Sequence, residues 1–422
     1  VAPGSPAIDI GASVEEKARR LTAAYAEGKN FFVLSESDNL EAAKWILASF
    51  RSPIAIVPIA PSLPPEAKAR VLAQLPENWV DASGLPPPAD HTALKPESSL
   101  WAVIFSSGST GEPKGIALSG RALRASAEAH QQHSGNSHWL LNLPLHHVGG
   151  FSVLSRAHFL NGEVSLTAAR FDAKETAAWI EKGQVRGISV VPTTLHRLLE
   201  EEGNFGRLEI ALLGGAPAEP ALVERALARG VPVRLTYGMT EHSSQIATEV
   251  SAGSGKLPLP GVEVRLAEDG EIQVKSPCLA NGYFRGGRLE ALPKVDGFFP
   301  TGDLGRLEGS ALILEGRKSD MIITGGVKVF PLEIEALASV PGLNDIAITS
   351  LPDAEWGERV CAALVGDISP DTVKSYLAGK IDPRKMPKSW VNLAQIPRSS
   401  TGKILRAELR RLVQEKLDWA KR

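Results

Sequence analysis

The stretch FSSGSTGEPKG (Phe105–Gly115) holds three glycines, three serines, a threonine and a lysine, and it follows an apolar run, WAVIF (Trp101–Phe105). This combination suits a phosphate. Glycine lets the backbone turn and come close to an anion. Hydroxyls and amides donate to its oxygens, and Lys114 adds a positive point charge. The Walker A spacing G-x-x-x-x-G-K-[ST] is not met: its second glycine would fall on Pro113 counted from Gly108, and on Ile116 counted from Gly111. The stretch is therefore a phosphate loop of another kind or, on composition alone, a Ser/Gly linker.

Other stretches could complete a site. LLGGAP (Leu212–Pro217) puts two glycines at a strand end, where a flat ring could slide against backbone. TYGMTEHSSQ (Thr236–Gln245) ends the next strand with an aromatic ring, a glycine, a threonine and a carboxylate. TGDLG (Thr301–Gly305) presents Asp303 in a turn, EGRKSDMIITGG (Glu315–Gly326) presents Arg317, and PRSSTGKILR (Pro397–Arg406) presents Lys403 just before the last helix. Taken singly, each is also an ordinary surface charge. Glu241 reads equally as a helix cap, and Lys403 as a helix-start lysine.

The elements that must position these residues alternate between helix and strand patterns over about the first 240 residues. SVEE (Ser13–Glu16) reads as a capping box, and residues 61–98 read as loops with a short helix. After WAVIF and its loop, a helix is expected around Arg121–His133, then strand HWLLNLPL and a helix near Phe151–Phe159. Strands EVSLTA, GISVVP, RLEIALLGG and VPVRLTYG follow, with helices between. That order implies βαβ units and a largely parallel sheet with ligand loops at strand C-terminal ends. After Pro258, two hairpin patterns (Gly261–Ser276 and Gly302–Arg317) indicate a small β-rich unit. Beyond Lys318 come helix PLEIEALASV, strands NDIAITSLP and ERVCAALVG, a helix near Asp371–Leu377 and an amphipathic helix with Leu405, Leu409, Leu412 and Leu417 on one face. The expected fold is α/β. Residues 1–317 form a large body with mostly parallel sheets and a β-rich subdomain at about 258–317. Residues 318–422 form a separate α+β unit.

The 422 residues favour two or three domains. With 46 basic against 48 acidic residues, the charge balance gives no sign of a nucleic-acid surface or an acidic tail. Two isolated cysteines, Cys278 and Cys361, suggest neither a disulfide framework nor a zinc site. No apolar run approaches a bilayer span, and the opening VAPGSPAIDIG lacks the charged-then-apolar pattern of a secretory signal. A cytoplasmic setting is the expectation, with small-molecule partners, no nucleic acid and no membrane insertion. A homodimer is also expected.

The six motifs, in this order from about Trp101 to the end, resemble the adenylate-forming superfamily of acyl-CoA synthetases, adenylation domains and luciferases. Within it, the chain is most similar to the o-succinylbenzoate–CoA ligases of menaquinone biosynthesis. LPLHHVGGFSVL (Leu143–Leu154), VVPTTLHRLL (Val190–Leu199), the run from Leu212 to Thr248 and the compact length carry that narrower likeness. The resemblance implies two half-reactions. A carboxylate attacks the α-phosphorus of ATP, giving an acyl-adenylate and pyrophosphate, and coenzyme A then displaces AMP. The first step brings an anion onto a polyanion, so positive charge and aligned donors are what the protein can supply.

The resemblance also implies roles. Ser106, Ser107, Ser109, Thr110 and Lys114 would hold the β- and γ-phosphates. Gly214, Gly215 and Ala216 would wall the adenine, Tyr237 would stack on it, and Gly238 and Met239 belong to the same nucleotide site. Thr240 would contact the α-phosphate, and Glu241 would bind Mg²⁺. Asp303 would accept from the ribose hydroxyls, and Arg317 would contact the ribose or a nearby phosphate. The C-terminal unit would be a mobile lid hinged at Lys318. Lys403 on it would bridge carboxylate and α-phosphate, a contact whose loss would cost roughly 3–4 kcal/mol. Gly325 and Gly326 would meet the pantetheine arm of CoA.

For the acid, Arg156 is the candidate partner of a second carboxylate, and His147 would line the acyl tunnel. His146 and His147, on a strand, would point oppositely and so not form a metal pair. Gly149 and Gly150 would let backbone approach the substrate, and Ser243, Ser244 and Gln245 would line the aromatic pocket. The chain departs from the family pattern at Val327, Lys328 and His242 and in its short N-terminal part. Competing readings are another small aryl- or acyl-CoA synthetase, a non-catalytic nucleotide-binding paralogue and a carrier-loading adenylation domain.

Overall fold

The computed structural model describes residues 11–93, 95–107, 113–135, 138–167, 171–338, 340–398 and 402–419. Ser109 and Thr110 lie outside them. Among these residues the strands form three sheets, of seven, eleven and five strands.

In the first sheet Phe31–Leu34 lies between Ala55–Pro58 and Trp79–Asp81, all parallel. Leu100–Ser107 continues it in parallel and then pairs antiparallel with Pro113–Ser119. Gly282–Arg285 and Arg288–Ala291 complete that edge. The second sheet has a parallel half made of Val233–Met239, Ile210–Leu213, Gly187–Val190, Trp139–Leu141 and Val164–Leu166. Its antiparallel half starts at Ser244–Glu249 and ends at Glu263–Leu266. The β-rich stretch after Pro258 thus contributes strands to both body sheets.

The helices Gly11–Ala26, Asn39–Ser49, Gly120–Ser134 and Val148–Leu160 share one core with apolar residues of both sheets, such as Ile56, Ile104 and Leu118 from the first and Leu141, Leu212 and Ile246 from the second. They form the filling between two half-buried sheets. Ile180, Leu195, Leu198 and Ala226 cover the second sheet's other face. The third sheet is closed on both sides, by Ile334 and Val373 on one and by Leu409 and Val413 on the other. Side-chain caps set several helix starts. Asp38 accepts from the Glu41 amide, Ser119 from that of Ala122, Asp172 from that of Glu175 and Ser369 from that of Thr372.

Several local expectations change. The Gly/Ser stretch joins two antiparallel strands and does not lead straight into a helix, because PKGIALS (Pro113–Ser119) pairs along the whole of Leu100–Ser107. Residues 61–98 include a strand, Trp79–Asp81. The first helix already runs at Gly11, so Ser13 and Glu16 lie inside it and not at its cap. In the last helix Leu409 and Val413 are fully buried, one turn apart, whereas Leu405 precedes the helix and is exposed. Both cysteines are buried and unpaired. Among the described residues no helix is long and apolar enough to cross a membrane.

Candidate functional site

Tyr237 sits near the end of the Val233–Met239 strand, buried, and its hydroxyl donates to Asp303 Oδ2 at 2.8 Å. Arg317 Nε donates to the other oxygen, Oδ1, at 2.7 Å. The contact is built into the sheet, since Asp303 and Arg317 are register partners in the hairpin Phe299–Glu308/Ala311–Arg317. Burial, then the Asp303 carboxylate, pushes the Tyr237 phenol well above its ordinary range, so it is a donor at any physiological pH. Burial works against the charge of Arg317, and Asp303 outweighs it.

Glu241 follows in the short turn Thr240–His242. Its Oε1 accepts from the Tyr283 hydroxyl at 3.2 Å, and its carbonyl accepts from the Ala280 amide at 2.8 Å. Lys114 Nζ lies 5.6 Å from the centre of the Tyr283 ring. Ser106 and Lys114 are register partners, so the strand that bears Lys114 is linked to Glu241 through Tyr283. Tyr283 escaped the sequence reading because GYF resembles any apolar strand; only its pairing to Pro113–Ser119 reveals it.

Glycine is required by space here. A Cβ on Gly238 would lie 2.0 Å from the Ser244 carbonyl oxygen, and one on Gly214 would lie 2.7 Å from Thr236 Cγ2. Gly215 has φ +80°, which a side chain disfavours. A Cβ on Gly150 would meet the Pro144 and Leu143 carbonyls at 2.4 and 2.6 Å. That glycine therefore seats the Val148–Leu160 helix on its own lead-in.

Lys403, from the C-terminal unit, is exposed and lies close enough to Arg317, Asp303 and Glu241 to feel their charges. Desolvation lowers its pKa first, Arg317 lowers it further, and Asp303 and Glu241 oppose the shift. Lys403 also acts on His147, which burial, His146 and this lysine together hold down to about 4. His147 is thus neutral at pH 7. His146 and His147 are in a turn before the helix, with ring centres 4.4 Å apart, and not on a strand pointing oppositely. A Cβ on Gly402, next to Lys403, would lie 3.9 Å from Thr193 of the body. Lys318 pairs with Asp269 at 2.6 Å and Glu271 at 3.0 Å. Gly326, φ +79°, is in an exposed turn with open space around it.

The acid-side candidates form a buried polar cluster. Arg156 is 6% exposed and its guanidinium lies 4.4 Å from the Trp139 ring centre. Its Nη1 is 3.2 Å from His130 Nδ1, which in turn is 2.8 Å from Gln245 Oε1. Gln245 donates onward to Thr248 and Thr236. Nε and Nη2 of Arg156 have no hydrogen-bond partner among the described residues. Burial pushes its pKa down to about 9, so the cation persists at neutral pH. A water-sized cavity borders Arg156, His130 and Trp139. His130 is new to the cluster; it lay mid-helix in the sequence with no motif around it. Ser243 instead donates to the Cys278 carbonyl at 2.8 Å, and both Ser243 and Ser244 have positive φ, which kinks the chain between strands. His242 is fully buried and held near pKa 4 by burial.

The AMP-binding enzyme family matches residues 73–284, and the AMP-binding enzyme C-terminal domain matches residues 333–403. The 2-succinylbenzoate–CoA ligase of Bacillus mycoides is 36% identical, covering 78% of this chain and 74% of that protein. The Bacillus cereus protein of the same name is 35% identical with the same coverage. Among solved structures, the o-succinylbenzoate CoA synthetase of Bacillus subtilis in complex with the acyl-adenylate intermediate OSB-AMP has a TM-score of 0.85 at 27% identity, covering 95% of this chain and 92% of that one. The same enzyme with ATP and magnesium ion gives 0.83, at 27% identity and with 95% and 93% covered.

Proposed function

Because the chain belongs to the AMP-binding enzyme family, we propose that it is an AMP-forming carboxylate–CoA ligase converting o-succinylbenzoate, ATP and CoA to o-succinylbenzoyl-CoA, AMP and pyrophosphate. The observation that carries this reading is the hydrogen-bonded group Tyr237–Asp303–Arg317, with Glu241 and Lys403 within range of the Arg317 charge. The relatives named for this reaction support the substrate.

In this reading residues 1–317 form the nucleotide body and residues 318–422 the lid, with Lys318 at the hinge. Tyr237 stacks on adenine beside Gly214, Gly215 and Ala216. Asp303 accepts from the ribose, already oriented by Tyr237 and Arg317. Lys114, with the hydroxyls of its loop, holds the terminal phosphates, and Thr240 meets the α-phosphate. Lys403 and Arg317 offset the repulsion as the carboxylate oxygen bonds to the α-phosphorus and pyrophosphate leaves. A neutral His147 lines the acyl route without adding charge.

The Mg²⁺ that accompanies ATP fits Glu241. Its Oε1 takes the Tyr283 hydrogen bond, and among the described residues Oε2 takes none. One carboxylate together with phosphate oxygens suits a hard cation that keeps its waters. Bound there, the ion would neutralise phosphate charge.

Arg156, a buried cation with two nitrogens unpartnered among the described residues, is the candidate partner for the second carboxylate of a dicarboxylic acid. A cytoplasmic setting, where ATP and CoA are at hand, and a homodimer complete the reading; light scattering tests the latter. The decisive assay is chromatographic detection of the thioester from o-succinylbenzoate, ATP and CoA alongside a panel of aryl and short-chain acids. Turnover of a different acid in preference would replace the substrate. ATP binding without acid-dependent pyrophosphate release would replace the enzyme with a nucleotide-binding protein.

A further inference from the structure

Tyr283 belongs to none of the motifs that mark the nucleotide site, yet it touches two of its charged groups. It is carried by Gly282–Arg285, opposite Ile116 of the strand that bears Lys114. Its ring is 8% exposed, with Lys114 Nζ 5.6 Å and the Arg285 guanidinium 5.5 Å from its centre. Its hydroxyl donates to Glu241 Oε1 at 3.2 Å. Three residues earlier, the Ala280 amide donates to the Glu241 carbonyl at 2.8 Å. The same short segment therefore grips Glu241 at backbone and side chain, from a different sheet. Burial, reinforced by the Glu241 carboxylate, raises the phenol's pKa, so it remains a donor.

We propose that Tyr283 is a positioning residue: its hydroxyl fixes one oxygen of Glu241, so that the other is presented to the divalent cation of the bound nucleotide, while its ring ties that carboxylate to the Lys114 strand. The proposal rests on the reading that Glu241 meets the cation. A carboxylate that rotates freely must be ordered when the cation arrives; one already held by a hydrogen bond need not be. The coupling also gives the Lys114 strand and the metal carboxylate a shared support, although they belong to different sheets.

The test is Tyr283→Phe in the full chain, which removes the hydroxyl and keeps the ring. ATP affinity is measured by calorimetry without acid, so that no turnover occurs, in the presence and absence of Mg²⁺. The gain in ATP affinity given by Mg²⁺ should shrink about tenfold, the scale of one hydrogen bond to a charged acceptor, with Mg²⁺-free affinity unchanged. Raising Mg²⁺ should restore turnover, and Tyr283→His, which keeps an N–H donor, should recover part of the Mg²⁺ effect and serves if the Phe variant folds poorly. An equal loss of ATP affinity with and without Mg²⁺ would overturn the proposal as a mere packing effect. Glu241→Gln separates the two layers. If it abolishes the Mg²⁺ effect while Tyr283→Phe leaves it intact, positioning by Tyr283 is refuted and the reading of Glu241 survives. If Glu241→Gln leaves the Mg²⁺ effect intact, both fall.

Discussion

Replacing Gly238 by alanine tests whether strand packing is what holds the nucleotide residues in place. A Cβ there would lie 2.0 Å from the Ser244 oxygen, 2.7 Å from the Ser244 carbonyl carbon and 2.9 Å from Gln245 Cα. All three are backbone atoms, so no side chain can swing aside. Relieving the contact means moving Val233–Met239 away from Ser244–Glu249 by at least about 1 Å, the gap between 2.0 Å and the 3.0 Å floor of real Cβ contacts. Overpacking of that kind costs ~1–3 kcal/mol of stability. The residues displaced are Tyr237 on one side and Thr240–Glu241 on the other, and a 1 Å misplacement near the chemistry costs ~100-fold in rate. The expected result is kcat/KM for ATP lowered by about two orders of magnitude in an acid-dependent pyrophosphate-release assay, with a folded protein of reduced melting temperature. Gly206→Ala is the control, since its Cβ would meet only the side-chain oxygen of Asn204, at 3.2 Å; it should be near wild type. A Gly238→Ala variant with unchanged stability and unchanged kcat/KM would refute the reasoning.

Other outcomes follow from single contacts. Phe151→Ala should lose about 3–5 kcal/mol in urea unfolding, because Phe151 is fully buried between the two body sheets. Arg156→Met should raise KM for o-succinylbenzoate roughly 10- to 100-fold, leaving KM for ATP alone; a uniform loss of stability with unchanged KM would make Arg156 purely structural. Lys95 is buried and pushed down to about 7 by desolvation, with its ammonium donating to the Ser49 and Ile54 carbonyls. Between that value and the unfolded pKa near 10.4, the unfolded chain binds more protons, so Lys95 makes stability rise with pH across this window. Lys95→Met should flatten the rise in melting temperature measured from pH 7 to 10.

The α/β alternation was legible because each element carries its own period. Residues such as Ile188 and Ile210 stand in short apolar runs, and Asp172 with Glu175 marks a helix start in four letters. Most of the charged residues that meet at the site also stood in recognisable stretches. Their meeting did not show, because Tyr237 and Asp303 are 66 residues apart, on strands that are not neighbours, and are joined by a side-chain hydrogen bond. Pro113–Ser119 was missed because its proline, lysine and glycine hide a strand that a long partner, Leu100–Ser107, is enough to order. Tyr283 and His130 were invisible for a related reason. Each gains its chemistry from a neighbour on another element, Glu241 for the tyrosine and Arg156 with Gln245 for the histidine. The packing role of Gly150 was not legible, because sequence shows that a glycine is present but not which carbonyl needs the space.

The central claim is that a cation on the C-terminal unit makes attack of one anion on another feasible. Single-turnover pyrophosphate release from ATP and o-succinylbenzoate, compared between the native chain and Lys403→Ala, tests it most directly. The account predicts a fall of roughly 150- to 900-fold, equivalent to 3–4 kcal/mol, with thioester formation from preformed acyl-adenylate little changed. Pyrophosphate release at the native rate would contradict it.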